Sequence, residues 1–126
     1  MKKFTRWNPY WDLHLTMENI CSSSDTRVKL IAVYPVHKYV DGKKTAEVEG
    51  YKYQAELPYV KTKNGDNKFT YVKIFGECLI TPKEIKEKAP LVIFENTKVV
   101  LYKDAEGECT ESITASGMKV EGGNNV

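Results

Sequence analysis

The chain has 126 residues, 41% of them apolar and 29% charged, with a net charge of +2. That length fits one domain with a single core, and the best apolar run, residues 30–36, is far too short to cross a bilayer. Three widely separated cysteines (Cys21, Cys78 and Cys109) form no Cys-x-x-Cys pair, which argues against a disulfide framework or a zinc site and for reduced thiols in a cytoplasmic protein. Lys2 and Lys3 have no apolar segment behind them, so no secretory signal is expected.

Residues 1–25 differ from the rest. Phe4, Trp7, Tyr10 and Trp11 crowd around Pro9, and Ser22, Ser23, Ser24 and Asp25 then read as a loop. An arm or extra strand is expected here, with its aromatics either capping the core or making a stacking or dimer contact. Residues 27–40 form a strand rich in β-branched and aromatic side chains, in which Pro35 argues against uninterrupted central pairing. Asp41 and Gly42 mark a turn, with Lys43 and Lys44 at its tip. The second strand covers 45–57 and is ended by Pro58; Gly50 inside it signals a bulge or a close backbone approach. After a polar loop at 61–66, the third strand covers 68–76.

One helix signal is clear. Thr81, Pro82 and Glu84 make a capping box with proline at the first helical position, which predicts a short helix over 82–88 that Pro90 prevents from continuing. Residues 91–94 and 98–103 then make one long strand, bent at Glu95–Asn96. A turn follows at 104–107, and a last strand covers 111–121, interrupted at Ser116 and Gly117. The tail 122–125 is expected to be disordered.

Three strands, a short helix and two strands is the order of the five-stranded oligonucleotide-binding (OB) barrel, whose helix lies between strands 3 and 4. Another small barrel or an open antiparallel sheet is the rival. The expected division is an arm over 1–25, a barrel over 26–121 and a tail over 122–126.

The third strand carries the main functional signal. Its period of two places Val72 and Ile74 on one face and Phe69, Tyr71, Lys73 and Phe75 on the other. Folding needs only one apolar face. A second face of rings and a lysine suits single-stranded nucleic acid, which binds by stacking and by phosphate neutralisation. On the second strand Tyr51, Tyr53, Ala55 and Leu57 are expected inward, leaving Lys52 outward with Gln54 as a hydrogen-bonding neighbour. Lys43, Lys44 and Arg27 are candidates to track phosphates. Residues 1–75 carry thirteen Lys and Arg against eight Asp and Glu, whereas 76–126 carry six against nine, so the basic part holds this strand. The loop 104–108, with Glu111, is acidic and disfavours phosphate.

Catalysis has no comparable support. His14 and His37 are the only histidines, no serine or cysteine stands in a nucleophile motif, and no glycine-rich loop is spaced to cradle phosphate. Neither a cofactor nor a metal is expected.

Three segments also resemble a known family. They are Asp41-Gly-Lys-Lys-Thr-x-Glu-Val-Glu-Gly-Tyr-Lys-Tyr53, Phe94-Glu-Asn-x-Lys-Val-x-x-Tyr102 and Ser112-Ile-Thr-Ala-Ser-Gly-Met-Lys-Val120. The chain resembles small cytoplasmic proteins encoded beside the replication and transfer genes of Gram-positive conjugative elements and plasmids, over about residues 27–121. The resemblance implies a helicase-processivity or single-strand-binding accessory role and transfers no fixed set of contact residues.

The expected function is therefore single-stranded DNA binding through Phe69, Tyr71, Lys73, Phe75, Lys52, Gln54, Lys43, Lys44 and Arg27. The alternative is a protein–protein adaptor that recruits a helicase or relaxase through Trp7 and Trp11, since tryptophan is favoured as an interface anchor. A self-associating domain, a homodimer paired through open strand edges, is a third expectation.

Overall fold

A computed structural model describes residues 15–103 and 105–122. Trp7, Trp11 and residues 123–126 lie outside the described residues, whereas Gly122, expected in a disordered tail, is paired with Leu91 and closes the last strand. Helix α1 spans Met17–Cys21, and the strands β1 (Val28–Val40), β2 (Lys43–Lys61) and β3 (Asn67–Phe75) follow. Helix α2 spans Pro82–Lys88, followed by β4 (Leu91–Glu95), β5 (Lys98–Lys103), β6 (Cys109–Thr114) and β7 (Gly117–Gly122). The described chain is mainly β, a curled half-barrel of one seven-stranded sheet in the order β5-β6-β3-β2-β1-β4-β7.

Seven strands stand where five were expected, because the last two long strands are each kinked. Between β4 and β5, Asn96 takes a positive φ of 51°. Between β6 and β7 the ladder breaks at Ala115 and Ser116. The two kinks lie side by side: the Ser116 amide donates to the Glu95 carbonyl at 2.9 Å, and the Asn96 side-chain amide donates to the Ser116 hydroxyl at 2.8 Å. Below the kink β4 pairs antiparallel with β7 and β1; above it β5 pairs antiparallel with β6, which runs parallel to β3. One bent ribbon thereby joins both sides of the β1-β2-β3 meander and curls the sheet.

The β1–β2 hairpin turns on Asp41 and Gly42, with φ of 52° and 77°. Positive φ at both central residues matches the right-handed twist of the flanking strands. Lys43 pairs with Val40 and Lys44 with Tyr39, so both lysines belong to the ladder and not to a loop tip. β2 also continues through Pro58 to Lys61, past the expected end at Leu57. Pro58 is tolerated because the β1 ladder reaches only Glu56 and the β3 ladder shifts between Glu56 and Lys61. Pro35 survives for a similar reason. β4 pairs with β1 only at Val28 and Lys29, which leaves one side of β1 open at Pro35.

Gly50 meets the expected close approach. A Cβ there would lie 2.6 Å from the Ile74 carbonyl oxygen and 2.8 Å from the Phe75 Cα. Helix α2 has the expected bounds: the Glu84 amide donates to the Thr81 hydroxyl at 3.2 Å, and Glu84 Oε1 accepts from the Thr81 amide at 3.2 Å. Residues 17–21 are a helical turn where an arm or strand was expected. The spacing of Met17 and Cys21 puts both on one face, and both are buried in the core.

Tyr53, Leu30, Leu57, Val28, Val72 and Val92 are the largest wholly buried apolar side chains. The Tyr53 hydroxyl accepts from the Leu79 amide at 2.9 Å, which gives its one polar atom a partner. No helix among the described residues is long and apolar enough to cross a membrane.

Candidate nucleic-acid interface

On β3 the alternation runs as the sequence pattern requires. Thr70, Val72 and Ile74 are buried, whereas Phe69 and Tyr71 are each 45% exposed and Phe75 is 59% exposed. The registers with β2 set what stands beside each ring. Gln54 faces Tyr71, Lys52 faces Lys73, Glu56 faces Phe69, and Gly50 faces Phe75. On the same outer face of β1, Tyr34 pairs with Lys52, and its hydroxyl donates to Gln54 Oε1 at 3.2 Å.

The two lysines of this face differ. Lys52 is exposed, with its ammonium 5.0 Å from the centroid of the Tyr71 ring and no carboxylate partner among the described residues. Lys73 lies 4.4 Å from the centroid of Phe75 and is bound to Glu49 at 2.7 Å. A cation over a ring face is held by the ring quadrupole. For Lys52 this leaves the donors available to an anion; for Lys73 a carboxylate already takes one.

Two clefts open on the face and share Lys52. One, of about 270 Å³, is lined by Lys52, Tyr71, Lys73, Tyr102, Thr110 and Ser112, with Glu111 and Ile113. The other, of about 220 Å³, lies at the hairpin and is lined by Tyr34, Pro35, Val36, His37, Tyr39, Lys44 and Lys52. Both fall just below the usual volume of a small-molecule pocket and are open to solvent. His37 Nδ1 is buried at the second cleft without a hydrogen-bond partner.

Lys52, Gln54, Tyr71, Lys73 and Phe75 are thus brought together, and Lys44 joins them through the hairpin cleft. Phe69 is exposed but faces Glu56, which also accepts from the Asn67 side-chain amide. Lys43 stands at the hairpin end. Arg27 is held elsewhere: its guanidinium donates twice to Asp25, from Nε and Nη2, each at 2.9 Å. These hydrogen bonds, with the Tyr59 hydroxyl also donating to Asp25, hold the Asp25 carboxyl well below the usual carboxylate range. Seven residues of extended chain, about 23 Å, separate Arg27 from Tyr34.

Tyr34, Tyr39, Tyr102, Thr110, Ser112 and Glu49 were not among the sequence-predicted residues. Tyr34 carried a usable signal, since it alternates with the buried Val33. Tyr102 and Ser112 carried none, because only the parallel pairing of β6 with β3 brings them to Tyr71. Among the described residues no group of three or more His, Cys, Asp or Glu is placed to hold a metal ion. No family model, no curated protein and no solved structure matches the chain.

Proposed function

We propose that the sheet is an OB-type barrel in which β4 with β5 and β6 with β7 serve as the fourth and fifth strands, and that its outer face binds single-stranded DNA with little sequence preference. The role is that of a cytoplasmic accessory factor in the replication or transfer of a mobile element, as the family resemblance implies. One observation carries the reading: Phe69, Tyr71 and Phe75 stand in solvent although Val72 and Ile74 of the same strand already fill the core side. Burying all three rings would be worth several kcal/mol. A ligand with flat apolar faces and a charged backbone can use both the rings and the adjacent lysines.

Carboxylates border both directions, Glu56 and Glu49 along β3 and Glu111 at the first cleft, and the two joined clefts favour a path of the DNA across the strands at Tyr71, with Phe69 and Phe75 flanking it. Across the strands it passes Tyr102, Tyr71, Lys52 and Tyr34 and reaches Lys44, through two clefts that meet at Lys52. Five adjacent strands at about 4.8 Å spacing make a track of about 19 Å.

The test is titration of a fluorescent oligo-dT at two salt concentrations. The wild type should bind, and Tyr71→Ala should lose about 1–3 kcal/mol, the contribution of one stacked base. Lys52→Gln should also make the slope of log affinity against log salt shallower by about 0.7. Unchanged affinity and slope in a Tyr71→Ala/Lys52→Gln double variant would remove this face from the site. The adaptor alternative rests on Trp7 and Trp11, and no contact of the described residues favours it.

A further inference from the structure

We infer that Glu49 is a built-in counter-ion that competes with DNA phosphate for Lys73 and so limits how tightly the face holds a strand. This deepens the binding reading above and rests on it. Glu49 is not a solvated carboxylate that happens to lie nearby. The β1–β2 register shifts between Val36/Gly50 and His37/Val48, so Glu49 is the extra residue of a bulge. A bulge re-aims a side chain. Its backbone is fixed as well: the Gly76 amide donates to the Glu49 carbonyl at 3.0 Å, and the bare Cα of Gly50 lets β3 approach.

The carboxylate held in this way reaches Lys73 Nζ at 2.7 Å, with both side chains about 70% covered. Lys73 in turn lies over Phe75. Glu49, Lys73 and Phe75 therefore form a cluster of no net charge at the edge of the track. A phosphate that recruits Lys73 must displace Glu49 and then sit beside the displaced carboxylate. Lys52, one position across the sheet, carries no such mask.

The experiment is the oligo-dT titration from 50 to 200 mM salt with wild type, Glu49→Gln, Glu49→Gln/Lys73→Gln and Glu47→Gln. Glu49→Gln keeps the shape of the side chain and frees Lys73. Its salt slope should steepen by about 0.7, and its advantage over wild type should shrink about 2.6-fold between 50 and 200 mM, as one added phosphate contact requires. Glu49→Gln/Lys73→Gln should lose that gain. Glu47→Gln removes the same formal charge from an exposed position on β2 and should leave the slope at its wild-type value. An unchanged slope in Glu49→Gln overturns the inference, as does a gain that survives loss of Lys73 or is matched by Glu47→Gln. No binding by the wild type at 50 mM removes the binding reading and this inference together. Wild-type binding with an inert Glu49→Gln removes only the inference.

Discussion

Replacing Gly50 by alanine tests the geometry on which the outer face depends. The new methyl carbon would stand 2.6 Å from the Ile74 carbonyl oxygen, 2.8 Å from the Phe75 Cα and 3.2 Å from the Ile74 carbonyl carbon. All three atoms are backbone, so no side chain can swing away. β2 and β3 must separate by some tenths of an ångström where Gly50 pairs with Phe75 and Tyr51 with Ile74. Overpacking of this kind costs about 1–3 kcal/mol, and a stretched ladder bond adds about 0.5–1.5 kcal/mol. The smaller unfolded-state entropy of alanine returns about 0.5–1 kcal/mol. The net loss is about 2 kcal/mol. Urea denaturation reads it directly: with m of about 2 kcal/mol/M, the midpoint should fall by about 1 M. Gly117→Ala is the matched control. Its Cβ would meet only Glu95 Oε1, at 3.0 Å, and that flexible carboxylate can move aside at little cost. A Gly50→Ala midpoint within experimental error of wild type, or no lower than that of Gly117→Ala, would refute the close approach of β2 and β3.

Two further outcomes concern the core. Tyr53→Phe keeps the buried ring but leaves the Leu79 amide without its acceptor, so it should cost about 1–3 kcal/mol in the same urea assay; a neutral result would mean that water reaches that amide. Burial, with Asp25 adding to it, pushes the Cys21 thiol from 9.0 up to about 11. Below pH 9 the folded and unfolded states hold the same proton and Cys21 does not alter stability. Between pH 9 and 11 the unfolded chain ionises first, so stability should fall by up to about 2–3 kcal/mol, less where water screens the thiolate, and then level off. Comparing midpoints at pH 8 and 10.5 for wild type and Cys21→Ala isolates this loss, because tyrosines and lysines titrate alike in both. An equal fall in the two proteins would place Cys21 in contact with solvent.

What could be read from the chain was local. The alternation through residues 69–75 assigned a face to each side chain because a strand's side-chain period is a property of the backbone itself. The Asp41–Gly42 turn and the capping box at Thr81 and Glu84 were legible on the same ground, since each depends on residues close together in sequence; at Gly50 the glycine signalled a close approach, but only the β2–β3 register shows that Ile74 and Phe75 make it. The short helix at Met17–Cys21 was the exception: nearby aromatics drew the reading toward an arm, although the spacing of Met17 and Cys21 was there to be seen.

The rest depended on which strands meet. The masking of Lys73 by Glu49 comes from a bulge that re-aims one carboxylate, and no pattern within β2 announces it. Arg27, grouped with the phosphate-tracking lysines by closeness in sequence, is shown by the structure to form an ion pair with Asp25. Tyr102 and Ser112 come beside Tyr71 only because kinks at Asn96 and Ser116 split two long strands and bring β6 parallel to β3. Periodicity says which way a side chain points. Its neighbours across the sheet are set by register and curvature, which arise from packing the whole chain around one core.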